Sequence, residues 1–140
     1  MEEAEGVFVD TNILVSKELR IILNVREPLY ITPVVLLEYF NWIVEARNRR
    51  LAEGDVSRAR GYERLLKKFP ELLLKFDIKI LEQNLTLSDL KEATNLILKR
   101  NADPGDALNA ITTKKLALKV LTRDRDWQKL KDYAREVIIL

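Results

Sequence analysis

Four carboxylates stand in settings where an acid is unexpected. Asp10 ends the apolar run Gly6-Val7-Phe8-Val9, and Glu38 is the one charged residue between Val34 and Phe40. Asp106 falls in the first turn of a helix announced by Asn101-Ala102-Asp103-Pro104-Gly105, and Asp124 follows Val120-Leu121-Thr122. Acids gathered in one cleft repel each other, so such a cluster calls for protonation or a bound cation. The chain has no histidine and no cysteine. That removes thiolate chemistry, histidine general bases, disulfides and nearly every zinc site. A cation held by oxygen alone should be hard, Mg²⁺ or Mn²⁺.

Each acid also has a purely structural reading. Asp10 suits the N-cap of a helix opened by Thr11 and Asn12. Asp103 before Pro104 is an ordinary N-cap with proline at the first helical position, and the cap is the favoured reading there. Asp106 shares a helical side with Asn109 and Thr113, a polar stripe set apart from Leu108 and Ile111. Glu38 lies on one face with Asn41 and Glu45, so periodicity alone makes it equally a solvent-facing residue. Asp126 precedes Trp127 and a helix and suits an N-cap. Asp124 alternates with Thr122 along a strand and ranks above Asp126 as a ligand. Trp42, Tyr39 and Tyr62 read as packing residues, and the arginine and lysine runs as solvated helix faces.

The elements that must position these acids follow from periodicity. Val7–Val9 reads as a buried strand, followed by a helix from about Asn12 to Asn24. Pro28–Thr32 is a second strand, closed by Pro33 at the first turn of a helix running from Val34 to about Arg50. That helix should bury Leu36, Leu37, Phe40, Ile43 and Val44. After Gly54 comes a helix with Ala59, Tyr62, Leu65, Leu66 and Phe69 on one side, ended by Pro70, and the two should form an antiparallel hairpin. Phe76, Ile78 and Ile80 alternate with polar residues as in a strand, and Thr86 to Asp89 has the form of a capping box ahead of Leu90, Ala93, Leu96 and Ile97. Next come a helix from Asp106 to about Leu118, a strand Lys119–Thr122, a helix from Asp126 to about Arg135 and a strand Val137–Leu140. Strands alternating with helices predict an α/β fold with a parallel sheet covered on both faces.

At 140 residues and 47% hydrophobic the chain is expected to form a single domain over residues 1–140. A net charge of +2 permits a polyanionic partner without demanding one. Met1-Glu2-Glu3-Ala4-Glu5 lacks the basic start and apolar core of a signal peptide, and no apolar run is long enough to span a bilayer, so a cytoplasmic protein without a membrane is expected.

Taken together, Val7-Phe8-Val9-Asp10-Thr11-Asn12-Ile13-Leu14, Thr32-Pro33-Val34-Val35-Leu36-Leu37-Glu38, Asp106-Ala107-Leu108-Asn109-Ala110 and Val120-Leu121-Thr122-Arg123-Asp124-Arg125-Asp126-Trp127 resemble a PIN domain in kind and order. In size the chain is similar to the VapC-type toxins of toxin–antitoxin pairs. The resemblance implies a three-layer α/β/α fold and a Mg²⁺- or Mn²⁺-dependent ribonuclease, with Asp10, Glu38, Asp106 and Asp124 around the metal. Asp103 and Asp126 are further possible ligands. It also implies support from Thr11, Asn12 and Thr122, a homodimer, and a cognate antitoxin. Arg123 and Arg125 could steer the RNA backbone. Two other readings stay open within the resemblance: a PIN nuclease of RNA processing, and a non-catalytic module binding RNA or protein. Other acid-cluster enzymes fit less well. A phosphatase with a nucleophilic aspartate would want a second acid where Asn12 stands, and a Toprim-like domain a glutamate in place of Asp10.

Overall fold

Val7, Phe8 and Val9 are buried, as the residues of a central parallel strand must be. They form β1 (Val7–Val9), joined by β2 (Leu29–Ile31), β3 (Ile78–Ile80), β4 (Lys119–Thr122) and β5 (Glu136–Ile139). All four pairings are parallel, in the order β3-β2-β1-β4-β5. The computed structural model describes residues 6–140, so the acidic stretch Met1–Glu5 lies outside the described residues. The helices are α1 (Thr11–Leu14), α2 (Pro33–Ala52), α3 (Val56–Lys75), α4 (Leu87–Arg100) and α5 (Pro104–Leu116). Two 3₁₀ segments, Lys17–Asn24 and Arg125–Tyr133, complete the chain.

The strand order decides the layers. From β1 the chain steps outward through β2 to β3, then returns to the other side of β1 for β4 and β5. Right-handed crossovers then place α1, α2 and α3 over one face, and α4, α5 and the last 3₁₀ segment over the other. The reversal occurs between β1 and β4, whose register sets Val9 beside Leu121. Asp10 therefore emerges level with Thr122, and its N–H donates to the Leu121 carbonyl at 3.0 Å. Ligand crevices of open α/β sheets lie at the carboxyl ends of strands at such a reversal.

Phe8, Val9, Ile31 and Val120 from the sheet are fully buried with Trp127 and Leu118, and each large apolar side chain of this kind contributes about 1.5–3 kcal/mol. Among the described residues no helix is long and apolar enough to cross a membrane.

Several elements differ from expectation. The helix predicted from Asn12 to Asn24 is α1 followed by a 3₁₀ segment. Ser16 restarts the chain by accepting from the Glu18 N–H at 3.1 Å. In α2 the buried face is Val35, Tyr39, Ile43 and Ala46, while Leu37, Phe40 and Val44 are exposed. Tyr39 decides that rotation: its ring stacks on Phe69 of α3 with centroids 4.0 Å apart. Pro70 does not end α3, which runs on to Lys75, because Phe69 and Leu73 on either side are buried and hold the helix through it. Leu90 lies half-exposed on α4, whose buried residues are Asp89, Ala93 and Leu96. The hairpin of α2 and α3 and the Thr86–Asp89 capping box form as predicted.

Candidate functional site

Each acid reaches the carboxyl edge of the sheet by a different local device. Asp10 leaves β1 in extended conformation and caps α1, so its carboxylate is turned back over the strand end. Thr32 caps α2 through the Val35 N–H at 3.2 Å, and Glu38 follows on the second turn. Asp103 caps α5 and accepts from the Asp106 N–H at 3.3 Å, which sets Asp106 in the first turn. Asp124 leaves β4 and caps the last 3₁₀ segment, accepting from the Asp126 N–H at 2.9 Å. The cap predicted for Asp126 thus belongs to Asp124, because the chain turns one residue after the strand. Asp126 is left in the first turn and exposed.

These devices bring Asp10, Thr11, Asn12, Glu38, Asp103, Asp106, Asp124 and Asp126 around one open cavity of about 470 Å³, which Val15 and Trp42 complete. Arg123 and Arg125 are exposed nearby but do not line it. Thr122 lies beneath. Its buried hydroxyl donates to Asp10 Oδ2 at 2.8 Å and accepts from the Asp124 N–H at 2.9 Å and Asn12 Nδ2 at 3.2 Å. Asn12 also donates to Asp10 Oδ2 at 3.3 Å and accepts from the Arg123 N–H at 2.9 Å. Thr11 donates its hydroxyl to Glu38 Oε1 at 3.0 Å, and its N–H to Asp10 Oδ1 at 2.8 Å.

The electrostatics are those of a site short of positive charge. Burial pushes the Asp106 carboxyl up to about 8, reinforced by the charges of Asp10, Asp103, Asp124 and Glu38. Burial also raises Asp10, against hydrogen bonds from Thr122 and Thr11 that pull it down, and Asp124 adds repulsion. Glu38 is raised by burial, opposed by Thr11, with Asp10 and Asp103 adding repulsion. Among the described residues no cation is paired with Asp10, Glu38, Asp103, Asp106 or Asp124, and Asp126 meets Lys129 Nζ at 3.9 Å.

The donor set suits a hard divalent cation, being oxygen throughout and repelling itself without one. Gly105 contributes to that fit: a Cβ there would lie 3.0 Å from Glu38 Oε2 and 3.2 Å from Asp103 Oδ2. Its bare backbone lets the carboxylates of α2 and α5 approach. The match is one of charge and donor type. Among the described residues no three acids are grouped to hold an ion as they stand, and an ion would have to draw them together.

Sequence reasoning did not find three of the supporting residues, Thr32, Gln83 and Thr112. Thr32 donates to Asn109 Oδ1 at 2.6 Å, a buried bridge between the start of α2 and the middle of α5, and Gln83, between β3 and α4, donates to Thr112 Oγ1 at 3.0 Å. The polar stripe of α5 was legible, but not its partners, which are distant in sequence. Thr113 in that stripe is structural, donating to the Tyr133 carbonyl at 2.8 Å. Trp127 is fully buried against Phe8, and its Nε1 makes no well-formed hydrogen bond, yet it lies near enough to Asp10 to favour the carboxylate. Trp42 packs edge-to-face on Tyr62, as a packing residue would, but it also lines the cavity and keeps 40% of its surface exposed.

The PIN domain family model matches residues 7–133. The chain belongs to the PIN domain family. Two solved structures share the fold of this PIN domain. The crystal structure of PAE2754 from Pyrobaculum aerophilum is 23% identical, with a TM-score of 0.62, over 97% of this chain and 90% of that one. VapBC-5 from Mycobacterium tuberculosis, described as a member of the VapBC family of toxin-antitoxin systems, is 16% identical, with a TM-score of 0.54. That match covers 98% of this chain and 99% of that one. A search of curated proteins found no match to the chain.

Proposed function

We propose that this PIN domain, spanning the chain as one unit, is a ribonuclease that hydrolyses RNA phosphodiester bonds with Mg²⁺ or Mn²⁺ held in the acid cleft. The observation that carries the reading is six carboxylates around one open cleft at the reversal of strand order, with Asp106 pushed up to about 8 by burial and by the charges of Asp10, Asp103, Asp124 and Glu38. A scaffold has no use for that much repulsion. A cation site does, since the repulsion is relieved when the cation binds.

Asp10 and Asp106 are the residues that would hold the main ion, with Asp124 joining them directly or through water. Glu38 would place a second ion or the attacking water. Asp103 and Asp126 are secondary: one caps α5, the other lies exposed at the rim. When bound, such an ion supplies a water of lowered pKa and neutralises charge on the scissile phosphate and the leaving oxygen. The chain's own part is orientation. Thr122 and Asn12 fix the Asp10 carboxylate, Thr11 fixes Glu38, and the Thr32–Asn109 bond holds α2 against α5. Arg123 and Arg125 stand outside the cleft, placed to attract the RNA backbone.

The shared fold with VapBC-5, along nearly the full length of both chains, supports the toxin of a toxin–antitoxin pair over an RNA-processing nuclease. A cognate antitoxin and a homodimer are part of that reading. The experiment is cleavage of a defined oligoribonucleotide with Mn²⁺ by the wild type, Asp10→Asn and Asp106→Asn. Activity in the first and none in the two folded variants is the expected result; equal activity in all three overturns the assignment.

A further inference from the structure

Trp42 lies one helical turn beyond Glu38 on α2, about 6 Å along the axis, and lines the same cavity as the acids. Among the described residues its one close aromatic neighbour is Tyr62 of α3, with ring centroids 6.0 Å apart and planes at 83°. An edge-to-face pair of this kind leaves at least one face of the indole uncovered by its partner. The contrast with Trp127, fully buried, is plain: Trp42 keeps 40% of its surface exposed, at the edge of a cleft it lines. Tyr62 in turn borders a second open cavity, of about 400 Å³, which Arg58 and Arg64 also line. Acids, indole, phenol and guanidinium groups thus follow one another from the sheet edge out along the helix hairpin.

We propose that Trp42 is a base-stacking platform, holding the nucleobase next to the phosphodiester presented to the acids, and that single-stranded RNA continues over Tyr62 towards Arg58 and Arg64. The inference rests on the ribonuclease reading and adds to it how substrate is placed. Every base has a π face, so stacking on an exposed indole grips single-stranded RNA without demanding a sequence, and arginine beyond it meets the following phosphates. A base on Trp42 lies within one nucleotide of a phosphate at Glu38, since the two side chains are one turn apart. Paired RNA cannot offer its base faces to such a platform. An acidic cleft beside the indole, with Arg58 paired to Asp55 at 3.5 Å and Arg64 in no ion pair among the described residues, matches a chain of phosphates approaching bound cations better than an apolar protein surface.

The test uses the two tryptophans as separate reporters. On rapid mixing of the Mn²⁺-loaded protein with a short single-stranded oligoribonucleotide, the long-wavelength emission of Trp42 should be quenched before cleavage, while the buried Trp127 is unaffected. Trp42→Phe should abolish the quench yet keep binding within a few-fold. Trp42→Ala and Trp42→Leu should each weaken binding by about 5- to 150-fold, the range for loss of one stacked base, and appear mainly in KM. An abasic nucleotide beside the cleaved bond should weaken binding to the wild type and make little further difference to Trp42→Ala. Melting curves confirm that each variant is folded. If Trp42→Ala binds and cleaves like the wild type, or Leu serves as well as Phe, the platform is refuted while the hydrolase reading stands, and Trp42 falls to a protein partner. If the wild type neither binds nor cleaves RNA with Mn²⁺, both are overturned.

Discussion

Thr122 uses every hydrogen-bonding position its hydroxyl has, one donor to Asp10 and two acceptors taken by Asp124 and Asn12. Replacing it by valine keeps the shape of a buried strand residue and removes all three bonds. The Asp124 N–H would lose its partner, so Thr122→Val should lower stability by about 1–3 kcal/mol. Cleavage should fall by about 10- to 100-fold, as for other groups that orient a metal ligand. Denaturant melts and turnover numbers check both, and full activity in this variant would mean that Asp10 needs no orientation. Asp10→Asn has the opposite balance. It removes a ligand and also a source of repulsion, so metal-free stability should hold or rise while cleavage disappears. Loss of activity through unfolding would show Asp10 to be only the cap of α1. At this scale much was legible: Asp10 and Asp124 follow apolar strands, Glu38 interrupts an apolar run and Asp106 opens a helix, and all four line the cleft. Thr32, Gln83 and Trp42 could not be read, because nothing local distinguishes a bridging threonine or an exposed indole from a packed one.

The helices explain why spacing predicted acids better than faces. The apolar residues of α2 occur almost all round, so periodicity alone could not choose between the face at Leu37, Phe40 and Val44 and the observed one at Val35, Tyr39, Ile43 and Ala46. The choice is made by α3, through the Tyr39–Phe69 stack and the Arg47–Glu63 pair at 2.8 Å, and a partner 16 to 30 residues away leaves no local signal. That rotation is what turns Glu38 and Trp42 into the cleft. Pro70 misled for the same reason: the loss of one N–H weighs less than the burial on either side of it. At the start of α5, Gly105 supplies a direct test of element placement. Gly105→Ala should leave stability level or raise it by up to about 1 kcal/mol, since alanine favours a helix. The added methyl presses on Glu38 and Asp103, so cleavage should drop by about 10- to 100-fold. Stability and turnover measured together check this, and a fall in stability with unchanged turnover would mean that the carboxylates do not need that approach.

Over the whole molecule, one topological event gathers the site. The reversal of strand order between β1 and β4 opens the sheet edge, and helices from both faces bring Glu38 and Asp106 to it. The alternation of strands and helices made a parallel sheet legible, whereas the strand order had to come from the fold. Gathering acids leaves a mark on global stability. The Asp106 carboxyl titrates at about 8 when folded and near 3.8 when free, so between those values the folded state holds the extra proton. The metal-free protein should therefore lose stability as pH rises from about 4 to about 8, with Asp10 and Glu38 acting in the same direction. Asp89, Glu92 and Asp132 are shifted down by Lys115, Tyr133 and Arg100, so their contribution is lost only below the ordinary carboxylate range, outside that window. Thermal melts at pH 6 and pH 8 should show the higher midpoint at pH 6, a smaller difference in Asp106→Asn, and a larger Mn²⁺-induced rise at pH 8, where protons compete less. Equal midpoints would deny the repulsion on which the site depends. The most direct measurement is the mass of the fragments from a defined oligoribonucleotide cleaved with Mn²⁺ and, in parallel, with EDTA. A chain without histidine that hydrolyses by metal-activated water should leave 5′-phosphate and 3′-hydroxyl ends, and none at all with EDTA. Fragments ending in a 2′,3′-cyclic phosphate, formed with EDTA present, would contradict the account.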